Sequence, residues 1–204
     1  MNGLRDLIAQ ERELENAKVA LTMKPDYNLH DAFVIFDNCR HGTITQAQLR
    51  EGLAAIGVYP TAEEINLFFQ RYDTDKNHRL NFSEFSKAFL SDDNYYAHML
   101  NRRPSNHRHH LHRRDDCFFP ETQVEHRTMW RVHFKVESAA EAVRQRLCHH
   151  PHFNVVQAFN SLDLNSDGKI NSCEIKRIIE SRGFFITQKE AAQVLAKFDE
   201  NKDG

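Results

Sequence analysis

One stretch of twelve residues constrains this chain more than any other: Asp163-Leu164-Asn165-Ser166-Asp167-Gly168-Lys169-Ile170-Asn171-Ser172-Cys173-Glu174. Oxygen-bearing side chains stand at its positions 1, 3, 5, 9 and 12, with glycine at 6 and an apolar residue at 8. Ca²⁺ is a hard cation that takes roughly six to eight oxygens near ~2.4 Å in a flexible cage. A loop of this length supplies them from side chains 1, 3 and 5, the carbonyl of 7, a water held by 9 and a bidentate carboxylate at 12. Glycine at 6 permits the sharp turn. The pattern makes Asp163, Asn165, Asp167, Lys169 (through its carbonyl), Asn171 and Glu174 the expected calcium ligands.

The loop is one of a repeated set. Phe36-Asp37, Tyr72-Asp73, Leu162-Asp163 and Phe198-Asp199 each end an apolar helical pattern at an aspartate. The first two aspartates lie 36 residues apart, as do the last two, with a gap of 90 between the pairs. Two similar pairs of helix–loop–helix units are therefore expected, in an all-α fold. Thr61 with Glu64, and Thr187 with Glu190, read as capping boxes that start the helices leading to Asp73 and Asp199.

The remaining loops differ in chemistry. Residues 73–84 place Asp73, Asp75, Asn77, Arg79 (carbonyl), Asn81 and Glu84 at every ligand position, with His78 where glycine is expected. A non-glycine residue at positive φ costs on the order of 1–2 kcal/mol. Residues 37–48 keep Asp37, Gly42 and Ile44, but Cys39 and His41 replace oxygen ligands and Gln48 cannot be a bidentate anion. Thiol and imidazole suit Ca²⁺ poorly, and two ligands are too few for Zn²⁺. That loop is expected to be structural, pairing Ile44 with Leu80. A fourth loop opens with Asp199, Asn201 and Asp203 and reaches Gly204, its position 6, so it lacks its own position-12 carboxylate here. It is expected to bind weakly, and Ile170 to lack a pairing partner.

The run Ala32-Phe33-Val34-Ile35-Phe36-Asp37, then Gly42-Thr43-Ile44-Thr45 and Gly57-Val58-Tyr59-Pro60-Thr61-Ala62-Glu63-Glu64, resembles the first lobe of calmodulin. The chain is thus similar to the EF-hand superfamily of calmodulin and troponin C over residues 28–91 and 152–204. The resemblance implies Ca²⁺ as cofactor and, in a sensor, helix pairs that open to expose an apolar groove. Both lobes here lack methionine and are rich in phenylalanine. A stiff aromatic lining suits one dedicated protein partner better than promiscuous binding.

Outside the pairs, residues 1–27 are expected to hold an N-terminal amphipathic helix, with Leu7, Leu14 and Leu21 at heptad spacing, marred by Glu11 and Lys18. Residues 92–151 combine a basic tract with a long helix from about Glu121 to Leu147, whose apolar stripe reads Val132, Val136, Ala139, Val143 and Leu147. Trp130 and Phe134 fall outside that stripe, which leaves packing against a lobe or docking onto a partner open. Arg102 to Arg114 hold five arginines and no acid, a surface for an acidic protein partner, tubulin being one candidate. No aromatic residues interleave with that tract and no nucleic-acid-binding motif is visible, so nucleic acid is not expected.

The net charge of −2 selects no partner class. Four cysteines without a C-x-x-C pair, and no apolar leader, point to a reducing compartment: cytoplasmic, with a cytoskeletal or ciliary assembly as the narrower expectation. No apolar run approaches the ~18 residues of a membrane span. No nucleophile–base constellation is legible, so the chain is expected not to be an enzyme but a calcium-responsive binding module. The alternative is a structural adaptor whose helix pairs act as rigid clamps.

Overall fold

A computed structural model of the chain describes residues 2–106 and 117–199. It is all-α apart from one two-stranded bridge. The helices are α1 (Asn2–Thr22), α2 (Leu29–Val34), α3 (Gln46–Ala55), α4 (Ala62–Tyr72), α5 (Phe82–Phe89), α6 (Asn94–Asn101), α7 (Pro120–Cys148), α8 (Val155–Leu162), α9 (Ser172–Ser181) and α10 (Gln188–Phe198). The strands are β1 (Thr43–Thr45) and β2 (Arg79–Asn81). The chain divides into two compact units, Gln10–Glu141 and Met1–Ala9 with Ala142–Gly204, so that α1 and α7 contribute residues to both.

In the larger unit the helix starts are set locally. Thr45, Thr61 and Asn81 each accept a hydrogen bond from the backbone three residues on, and Gln48, Glu64 and Glu84 return it to the cap. Such caps contribute about 0.5–2 kcal/mol apiece. β1 and β2 pair antiparallel with Ile44 opposite Leu80, the pairing expected from the sequence. Both side chains are buried and lock the first loop to the second.

Phe68 of α4, Phe85 and Phe89 of α5, and Phe36 in the turn after α2 converge on Trp130 of α7, which is 0% exposed. The buried face of α7 runs through His126, Met129, Trp130, His133, Phe134, Val136 and Glu137. This corrects the stripe read from the sequence: Val132 and Val136 are buried, but Leu147 is exposed, and the aromatic residues left outside the stripe, Trp130 and Phe134, are buried as well. The reason is tertiary. His133 lies 2.8 Å from the Ala88 carbonyl and 3.4 Å from the Tyr72 hydroxyl, and Glu137 accepts from Arg71, so polar side chains are satisfied in the interior.

Two borrowed caps fix the frame. Phe119-Pro120 offers no capping side chain to α7, and Asp26, from the α1–α2 connection, accepts from the Phe119 amide and from Thr122 Oγ1 instead. At the C-terminal end of α1, Arg103 donates to the carbonyls of Thr22, Lys24 and Tyr27. The charges expected to mar the α1 stripe are also accommodated. Glu11 lies 3.2 Å from Arg71, and Lys18 is buried, its pKa lowered by that burial despite nearby Asp92 and Glu15. Leu14 and Leu21 enter the core of this unit.

The smaller unit has a much smaller core: Ile8, Ile179, Ile186 and Ala191, with Ile175, Phe184 and Val194 packed against them. The Arg5 guanidinium lies over the Phe184 ring at 5.3 Å. Several residues that would be core by composition are not: Phe185 is 87% exposed, and Val155, Val156 and Phe153 are exposed as well. Ile170 is half-buried and makes no strand pairing among the described residues.

Candidate calcium loops

The second, third and fourth loops begin where the incoming helix is capped by an aspartate, and in the second and third that aspartate is held by amides of its own loop. Asp73 accepts from Asn77 N at 3.2 Å and His78 N at 2.8 Å. Asp163 accepts from Asp167 N at 3.2 Å and Gly168 N at 2.9 Å. The final glutamate folds back across the loop: Glu84 Oε1 accepts from Thr74 N at 2.9 Å, and Glu174 Oε1 from Leu164 N at 2.9 Å. Their second oxygens cap the outgoing helix, on Asn81 N and Asn171 N. Position 12 therefore ties together both ends of its loop.

Side chains 3 and 5 are joined within each loop, Asn77 Nδ2 donating to Asp75 at 2.8 Å and Asn165 Nδ2 to Asp167 at 2.8 Å. In the second loop one carboxylate oxygen from each of Asp73, Asp75 and Glu84 falls within 4.8 Å of the others. Among the described residues this is the one acidic, thiol or imidazole cluster that close. Asp73 and Glu84 are buried and Asp75 is exposed, so two of the three like charges meet largely away from water. A divalent cation bound through hard oxygen donors is the partner such a set fits. The third loop repeats the same hydrogen bonds with Asp163, Asn165, Asp167 and Glu174, and fits the same ion with the same number of carboxylates, the amide standing at position 3 instead of 5.

Backbone strain appears where the sequence placed it and in one place it did not. Position 6 is left-handed in every described loop: Gly42 at φ 74°, His78 at 62° and Gly168 at 81°. Position 4 is also left-handed, at Arg40 (54°), Lys76 (57°) and Ser166 (59°), none of them glycine. No residue preference at position 4 signals this turn in the sequence. His78→Gly is expected to stabilise the larger unit by about 1 kcal/mol, since relief of the left-handed penalty exceeds the glycine entropy cost. The urea midpoint reads it; a lower midpoint in the variant would refute the strain assigned to His78.

The first loop has the same scaffold with other chemistry. Asp37 accepts from His41 N at 3.0 Å and Gly42 N at 2.8 Å, as its counterparts do. Gln48 Oε1 accepts from Thr45 N at 2.9 Å and Thr45 Oγ1 at 2.9 Å, bonds local to its own cap. Cys39 and His41 are exposed, and the described residues around them add no third thiol, imidazole or carboxylate to make a metal cluster. In the fourth loop Asp199 closes α10 through its amide, whereas Asn201 and Asp203 lie outside the described residues. So do residues 107–116, and with them the histidines and most of the arginines of the basic tract.

Comparison with known proteins agrees with this geometry. A family model described as an EF-hand domain pair matches residues 26–90 and 154–204. The probable calcium-binding protein CML13 of Oryza sativa subsp. japonica is 22% identical over 204 residues, 100% of this chain and 89% of that protein. The probable calcium-binding protein CML16 of Arabidopsis thaliana is 33% identical over 66 residues, 32% of this chain and 41% of that protein. The calcium-dependent protein kinase 3 of Oryza sativa subsp. japonica is 36% identical over 63 residues, but these make up only 11% of the kinase.

Proposed function

This chain belongs to the EF-hand family, and from that premise we propose that it is a non-catalytic, calcium-responsive binding module that regulates a protein partner. Ca²⁺ is its cofactor. The ligands we assign are Asp73, Asp75, Asn77, Asn81 and Glu84 with the Arg79 carbonyl, and Asp163, Asn165, Asp167, Asn171 and Glu174 with the Lys169 carbonyl. The observation that carries the reading is the convergence of the Asp73, Asp75 and Glu84 oxygens within 4.8 Å. Calcium chemistry at that point acts on α4 and α5, because Asp73 ends one and Glu84 lies in the first turn of the other. A change in the angle between those helices is how such a loop would signal.

Support for a purely static role is also specific. The first loop keeps its shape and its pairing through Ile44 while lacking calcium ligands, as a clamp would require. A clamp of this kind would sit in a cytoplasmic, cytoskeletal assembly and meet an acidic surface.

Calorimetric titration of Ca²⁺ into chelator-stripped protein separates the two. Two sites in the ~10⁻⁷–10⁻⁵ M range are expected, with Glu84→Gln and Glu174→Gln each abolishing one. Trp130 packs on Phe68 and Phe85, so its emission is expected to follow the first pair and to lose its response in Glu84→Gln alone. Heat unchanged in both variants would refute the ligand assignment. Binding without any Trp130 response would put the static clamp first.

A further inference from the structure

The EF-hand pair of the larger unit is complete by itself: the family match covers residues 26–90, with both loops and their bridge, and α7 lies outside it. Taken without α7, the pair would present Phe36, Phe68, Phe85 and Phe89 to water, an apolar patch of the sort that marks a binding groove. In the protein that patch is covered by one helix. The Trp130 ring centroid lies 5.2 Å from Phe36, 5.1 Å from Phe68 and 5.2 Å from Phe89. His126, Met129, Trp130, His133 and Phe134 follow one another at spacings of three or four along α7 or sit side by side on that face, the register of an amphipathic helix laid in a groove.

The helix is also held at both ends of this stretch. Asp26 receives its first turn through Phe119 N and Thr122 Oγ1. Further along, Glu137 accepts from Arg71 of α4, and Lys135 donates to Glu13 of α1 at 2.6 Å. These bonds fix direction and register, which apolar packing alone does not.

We propose that residues 118–137 are a built-in target: the first EF-hand pair is a receptor already occupied by its own chain, and an outside amphipathic helix enters it only by displacing Trp130. The inference rests on packing and does not depend on the calcium assignment above. It assigns recognition of an outside partner to surfaces other than this groove.

The consequence is competitive. A tethered segment faces its site at an effective concentration of about mM, so a free helix of equal intrinsic affinity competes poorly at ~10 μM. The test uses the whole chain and a synthetic peptide of residues 117–139 carrying a fluorophore at its C-terminus, titrated in chelator and again in Ca²⁺. The wild-type protein is expected to bind the peptide about 100-fold more weakly than the Trp130→Ala/Phe134→Ala variant, whose own helix is weakened. Asp26→Ala/Glu137→Gln, which loosens the ends and leaves the core side chains in place, is expected to fall between the two and covers the case in which the first variant does not fold. In the wild type, Trp130 (the sole tryptophan) should emit as a buried indole and resist acrylamide quenching in both buffers. Equal peptide binding by wild type and variants would overturn the proposal, because the groove would then be open. So would a readily quenched Trp130. Failure of every folded variant to bind the peptide would overturn it as well, making α7 an inseparable part of the core.

Discussion

Trp130→Ala is expected to remove about 3–5 kcal/mol from the stability of the Gln10–Glu141 unit, the range for deleting a fully buried large aromatic side chain. The residue has no exposed surface and stacks on Phe134 at 5.9 Å while meeting the rings of Phe36, Phe68 and Phe89 edge-on or tilted. Few neighbours can move in to fill the gap, because the rings around it also pack on one another, as in Phe85 with Phe89 at 4.7 Å. A single domain is stable by only about 5–15 kcal/mol, so this one substitution takes about a fifth or more. Urea unfolding followed by circular dichroism measures it, since the variant loses the fluorescent probe. A loss under about 1 kcal/mol would mean that α7 is not seated as described.

Acid should destabilise the same unit through His126. Burial, reinforced by the adjacent Arg127, lowers its pKa from 6.5 to about 3. Tyr27, Phe36, Phe89, Phe118 and Trp130 surround the ring, and Trp130 Nε1 donates to its Nε2 at 3.0 Å, which requires the neutral form with the proton on Nδ1. A second proton would have to take Nε2, the atom that accepts from Trp130, and would break that bond, while the Nδ1–H already lacks an acceptor. Below pH 6.5 the unfolded chain binds a proton that the folded protein refuses until pH nears 3. Stability is therefore full above that upper value and falls as pH drops through the window, by up to ~1.4 kcal/mol per pH unit from this residue and several kcal/mol in all. His126→Gln keeps an acceptor for Trp130 and does not titrate. Its urea midpoint should fall less steeply than the wild type's between pH 6 and 4.5, ahead of the main carboxylate range. Parallel curves would remove His126 from the account.

The parts of this fold that depend on local rules were legible in the sequence. Capping boxes at Thr61 and Thr187 close on Glu64 and Glu190, His78 takes the left-handed conformation, and Ile44 meets Leu80. Each follows from a spacing of a few residues. The seat of α7 was not legible, because the face it buries contains His126, His133 and Glu137, which a polarity pattern assigns to water. Their partners (Trp130, the Ala88 carbonyl and Arg71) come in two cases from elsewhere in the chain. Lys18 and Glu11 misled in the same way on α1. The candidate site was the reverse case: a twelve-residue loop carries its own oxygen donors, so candidates can be listed from spacing alone, and what the structure adds is the reach of Glu84 and Glu174 to both ends of their loops.

The first loop separates two things that the others combine. Arg40 and Gly42 hold the left-handed turns, Asp37 gathers the two amides and Ile44 completes the bridge, all with no anionic ligand beyond Asp37. Shape is thus specified by backbone and core, and charge by side chains that the shape does not need. For a protein engineer the two are independent dials: Cys39→Asp, His41→Asp and Gln48→Glu would write a metal-binding programme onto a frame that already stands, with no backbone to redesign.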